Sequence, residues 1–205
     1  MRALALYQRL DAAATATVKQ AILDFWFGAP GTPGHGEEQA QWFRKDPAFD
    51  ETIRTHFGAA IETALAGGFA EWVDARGTLA RILLLDQFTR NVYRDTPRAF
   101  AGDALGLKLA RDAIGQSQDR GLVPVERWFL YMPFEHAEDA AAQQTGVDLF
   151  TRLRDETGLA GPLQWAQRHA EIVRRFGRFP HRNAILGRES TPEEIAFLAT
   201  PGSGF

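Results

Sequence analysis

The chain has 205 residues, a formal net charge of −3, 45% apolar and 24% charged residues, and no cysteine. Such a chain can bury a sizeable core, and its composition excludes disorder, disulfides, thiolate catalysis and cysteine-based zinc or iron–sulfur centres. The mild acidity gives no overall attraction to nucleic acid or anionic lipid. The opening MRALALYQRLDAAATATVKQ lacks the apolar core of a signal peptide, and the longest dense apolar run, Ile82–Leu85, is far too short to span a bilayer. A cytoplasmic protein that binds neither membrane nor nucleic acid is expected.

Helical periodicity dominates the chain. Residues 15–27 predict a helix ended by Gly28, followed by a Pro/Gly loop, APGTPGHG, over 29–36. A short helix is expected over Glu37–Arg44. Another starts at Pro47 with Asp46 as its N-cap and runs to about Ala66, before Gly67-Gly68. The next, from about Thr78 to Arg94, is apolar on nearly every side, which marks a central helix with neighbours all round. Thr96 or Pro97 opens a helix that closes near Gly121, Pro124 opens another, and shorter segments follow over 146–157 and 162–177. The last starts in STPEE, where Thr191, Pro192 and Glu194 compose a capping box. The sum is an all-α fold of eight or nine helices in antiparallel hairpins, one domain over residues 1–205.

Three runs concentrate the polar chemistry. In LDQFTRNVYR (85–94), Asp86, Gln87, Arg90, Asn91 and Arg94 share one arc of an ideal helix, with Asp86–Arg90 and Gln87–Asn91 four apart and able to touch. In YMPFEHAED (131–139), Pro133 should kink or restart the helix and re-aim the charged residues after it. On a continuous helix Arg127, Tyr131, Glu135 and Glu138 lie on one side and His136 on the other, and mutual repulsion should raise the pKa of one glutamate unless a cation intervenes. The third run, RRFGRFPHRNAILGRES (174–190), supplies Arg174, Arg175, Arg178, His181, Arg182 and Arg188, whose guanidinium forks suit a carboxylate or phosphate, or the glutamates of the second run.

No metal site is expected. Glu-His-x-Glu matches neither the di-iron Glu-x-x-His nor the His-Glu-x-x-His spacing, and ligands would have to come from elsewhere, such as Asp86 or His181. No nucleophile elbow, phosphate loop or dinucleotide fingerprint is present, and the residues leave the cofactor unknown. Trp26, Phe27, Trp42, Phe43, Trp72, Trp128 and Phe129 read as core aromatics.

ILDFWFG (22–28), WFRKD (42–46), LLLDQFTRNVYR (83–94), AFAGD (99–103), YMPFEHAED (131–139) and RFPHRNAILGRESTPEEIAFL (178–198) occur together and in order. In these segments the chain resembles a bacterial family defined only as a domain of unknown function. The resemblance implies a curved, TPR-like helical array and brings no catalytic residues with it.

Three functional readings stand. The first is a cleft that binds an anionic small molecule or a peptide, with Asp86, Gln87, Arg90, Asn91, Arg94, Tyr131, Arg178, Arg182 and Asn183 as its contacts. The second is a hydrolase using Glu135 or Glu138 as base and His136 or His181 as acid. The third is a scaffold or homo-oligomer.

Overall fold

The computed structural model describes residues 12–204. The opening MRALALYQRLD, on which the signal-peptide expectation rests in part, lies outside them. Among the described residues there is no strand, and the fold is all-helical. No helix in it is long and apolar enough to cross a membrane.

The first helix, α1 (Ala12–Phe27), ends where Gly28 takes a φ of +82°. That left-handed turn would strain any residue carrying a Cβ. The helix expected over Glu37–Arg44 is a single 3-10 turn, Ala40–Phe43. α2 (Pro47–Leu65) begins as expected, with Asp46 accepting hydrogen bonds from the N–H groups of Ala48 and Phe49 at 3.0 and 3.2 Å.

The apolar helix is the axis of the fold. It begins at Ala75, earlier than expected, because Asp74 caps it by accepting from the N–H of Gly77 at 2.8 Å. It runs as α3 (Ala75–Ile82), widens into a π-helical turn over Leu83–Phe88, and continues as α4 (Thr89–Val92) with right-handed helical angles at both joints. Leu79, Ile82, Leu83, Leu84, Leu85 and Phe88 are at most 1% exposed. Each such side chain contributes roughly 1.5–3 kcal/mol by its burial.

The stretch from Thr96 to Gly121 is divided instead of forming one helix. A 3-10 turn, Pro97–Phe100, precedes α5 (Asp103–Gly115), and a second, Gln118–Gly121, follows it. Gly102 marks the division. A Cβ there would stand 2.1 Å from the carbonyl oxygen of Leu85, so the chain crosses the π turn backbone to backbone.

α6 (Pro124–Glu135), α7 (Ala140–Thr157) and α8 (Gly161–Phe176) are joined by short connections, and α6 with α7 and α7 with α8 make the most extensive helix contacts in the fold. Helix α6 runs through Pro133 and stops at Glu135. The re-aiming expected from the proline is therefore achieved by ending the helix: His136 leaves it, and Asp139 caps α7 by accepting from the N–H of Ala142 at 2.7 Å. Gln143 of α7 donates to the carbonyls of Glu135 and Ala137 at 2.6 and 2.7 Å, which fixes this turn. α9 (Pro192–Leu198) carries the expected capping box of Thr191 and Glu194. Of the aromatics assigned to the core, Trp26, Phe27, Trp42, Trp72, Trp128 and Phe129 are buried, but Phe43 is 54% exposed and lies over Trp128 with ring centres 5.2 Å apart.

Candidate functional site

Where the π turn, the end of α6, the middle of α8 and the segments around Asp103 and Arg182 meet, the interior is polar. Asp86, Gln87, Glu135, His136, His169 and Arg182 are all buried. Asp86 is the hub. Its carboxylate accepts from Nδ1 of His136 at 2.7 Å and from Nε2 of Gln87 at 2.5 Å, and lies 3.0 Å from Nη1 of Arg90. Burial alone would raise its pKa, but the charge of Arg90, with the hydrogen bonds from His136 and Gln87, holds it well below the usual carboxylate range. Burial followed by the charge of Arg90 lowers the proton affinity of His136, so the Asp86 contact is a hydrogen bond from a neutral imidazole.

Glu135 and His169 sit behind this hub. Nδ1 of His169 is 2.9 Å from the carbonyl oxygen of Trp165 and 3.0 Å from Oε1 of Glu135. Burial, and then the charge of Asp86, pushes the Glu135 carboxyl up to about 8, while burial pushes His169 down to about 2. Despite its short distance, the contact therefore joins uncharged partners and is no ion pair. The second oxygen of Glu135 is buried with no hydrogen-bond partner among the described residues. The rings of His136 and His169 meet edge to face, 6.0 Å between centres.

On the outer side, Arg90 grips Asp103 with both ends of its fork, at 2.8 and 3.0 Å. Arg182 reaches the same carboxylate at 3.3 Å. Its guanidinium lies over the rings of Phe100 and Phe179, 4.6 and 4.5 Å from their centres, and its Nε is buried without a hydrogen-bond partner among the described residues. Burial, and then the charge of Arg90, lowers Arg182 to about 10. His181 beside it is held down to about 4, first by burial and then by Arg182.

The three charged runs thus meet in Asp86, Gln87, Arg90, Glu135, His136 and Arg182, but other members go elsewhere. Asn91 and Arg94 bind Asp50, at 2.7 Å and at 2.5 and 3.1 Å, on the α2 side. The single arc drawn from an ideal helix fails because the π turn adds a residue to the helical repeat and the helix ends at Val92. Gln87 accordingly turns to Asp86, and no Gln87–Asn91 bond forms. Tyr131 donates to Asp119 at 2.7 Å and accepts from Arg127 at 3.2 Å. It lies beneath a separate surface hollow lined by Asp119, Arg120, Arg127, Arg152 and Glu156. Arg178 grips Glu194 at 2.7 and 2.8 Å, and Asn183 donates to Ser190 and Glu194.

The expected pairing of Glu135 with Glu138 is replaced by another arrangement. Helix α6 ends between them, so Glu138 faces Arg188, which holds it at 2.6 and 2.9 Å, and the N–H of Phe179 at 2.7 Å. Arg188 lowers Glu138 against its burial. One glutamate does rise, but burial and Asp86 are the cause. His136, placed opposite Glu135 on the ideal wheel, shares a cluster with it because it follows the helix end.

Sequence reasoning missed His169, Asp103 and Phe100. His169 had a readable signal: it continues the apolar stripe Leu163, Ala166, Ile172 and Val173 of α8. Asp103 reads from sequence as a helix-opening acid, which it also is.

The sequence model of a family described as bacterial protein of unknown function (DUF924) matches residues 22–202. No curated protein matches the chain. A protein of unknown function from Agrobacterium tumefaciens, of solved structure, is 42% identical, with a TM-score of 0.79 over 90% of this chain and 98% of that one.

Proposed function

The chain belongs to this bacterial DUF924 family, and from the geometry we propose that it binds a small carboxylate- or phosphate-bearing molecule beside Arg182. One observation carries the reading: two guanidinium groups, Arg90 and Arg182, share the single carboxylate of Asp103. Arg90 is fully engaged, by Asp103 in bidentate fashion and by Asp86. Among the described residues, Arg182 has the 3.3 Å hydrogen bond alone and an unpaired Nε, a buried donor whose desolvation is not offset. An anion would complete its hydrogen bonds and relieve the repulsion from Arg90. Phe100 and Phe179 hold the guanidinium plane in place, which reduces the ordering cost of binding. Arg94 and Arg178, engaged with Asp50 and Glu194, drop out of the expected contact set.

The test is thermal unfolding in phosphate and in small mono- and dicarboxylates at fixed ionic strength. A ligand at about 100 times its Kd stabilises by about 2.7 kcal/mol. Arg182→Ala removes that stabilisation and leaves the helical circular dichroism unchanged. If no anion stabilises the parent protein, or if Arg182→Ala loses helicity along with the response, the arginines are an internal ion network and the reading fails.

A further inference from the structure

We propose that Glu135, His136 and His169 form a three-ligand site for a divalent transition-metal cation of the zinc type. The site goes beyond the anion-binding reading, since it uses the inner end of the cluster and none of the arginines.

Three independent features of the structure point to it. First, one ligand atom from each of the three residues lies within 4.8 Å of the others, all of them buried. Two imidazoles and one carboxylate are a donor set that zinc-type ions take readily, leaving further positions open. Second, the unpartnered oxygen of Glu135 sits on a residue only 3% exposed. Buried carboxyl oxygens almost always have a partner, and a cation in contact with it would supply one. Third, both imidazoles are already oriented. Nδ1 of His136 is tied to the Asp86 carboxylate and Nδ1 of His169 to the Trp165 carbonyl. A proton on Nδ1 of His136 places its lone pair on Nε2, and oxygen acceptors of this kind are what fix the tautomer and raise the basicity of metal-binding histidines.

Asp86 and Asp103 offset Arg90 and Arg182, which they contact directly, so the arginines set no net positive charge against a cation here. The Glu-His-x-Glu spacing hides this set in the sequence, because its third member comes from another helix, α8. The second acid of that motif, Glu138, is held by Arg188 and takes no part.

The experiment uses the tag-free full chain, stripped with a chelator and titrated with cobalt(II) and zinc, following cobalt by its visible absorption and zinc by equilibrium dialysis with elemental analysis. One equivalent of each is expected, with zinc displacing cobalt and bleaching its bands. His169→Ala and the near-isosteric Glu135→Gln weaken uptake at least about tenfold, and Asp86→Asn, which acts through His136, weakens it about 10–100-fold. His56→Ala, on the exposed face of α2, binds as the parent does. If His169→Ala loses its helical spectrum, Glu135→Gln decides the matter. The proposal is overturned if the stripped protein takes up neither ion stoichiometrically, if both ligand variants bind like the parent, or if magnesium is preferred to zinc.

Discussion

Nδ1 of His136 donates a 2.7 Å hydrogen bond to Asp86, 50 residues earlier in the chain, and so ties the end of α6 to the π turn of the axial helix. Asp86 is 1% exposed, so its charge is affordable only because Arg90, Gln87 and His136 all answer it.

Asp86→Ala should therefore cost about 3–5 kcal/mol of unfolding free energy, since it leaves the buried His136 and Gln87 without their acceptor and takes one of two carboxylates from the half-buried Arg90. Asp86→Asn keeps a carbonyl oxygen for His136 and should cost less. Urea denaturation of the three proteins measures both, and a loss under about 1 kcal/mol for the alanine variant would show that the hub is not structural.

Gly102→Ala should cost about 1–3 kcal/mol or more, because the new methyl meets the Leu85 carbonyl at 2.1 Å and backbone cannot step aside as a side chain can. For a chain of this length that is a fall in Tm of roughly 2–12 °C. Gly115, near the end of α5, has nothing within 4 Å of the same position, so Gly115→Ala should leave stability unchanged or raise it by about 0.4–1 kcal/mol. The contrast separates close approach from a general cost of losing glycine.

Glu194 gives the clearest dependence on pH. The hydrogen bonds from Arg178, with those from Thr191 and Asn183, lower it from 4.5 to about 2. Between those values the unfolded chain binds the proton and the folded one does not. The contribution is thus present above pH 4.5 and lost as the pH falls toward about 2. Glu194→Gln should flatten the fall in denaturation midpoint across that window, with little change in slope at higher pH.

Local signals were the most legible part of the sequence. Asp46 before Pro47, and Thr191-Pro192 with Glu194, each settle their helix start within a few residues, and the structure has both caps. The apolar run Ile82–Leu85 likewise announced a buried axis. Long-range placement was less legible. Wheel arguments assume one uniform period, and the π turn and the end of α6 at Glu135 break it at the two places where polar residues cluster. His169 was passed over because a histidine on an apolar stripe gives no hint of its neighbours until α8 is folded against α6.

The π turn has a mechanical consequence. Its surplus residue puts the two ends of one rod out of phase, so that Asp86 and Arg90 serve the histidine cluster while Asn91 is delivered to Asp50 on a different flank. Removing a single residue between Leu83 and Phe88 would let the turn close to an ordinary α-helical one, displacing the acid and arginine from the histidine cluster at one stroke.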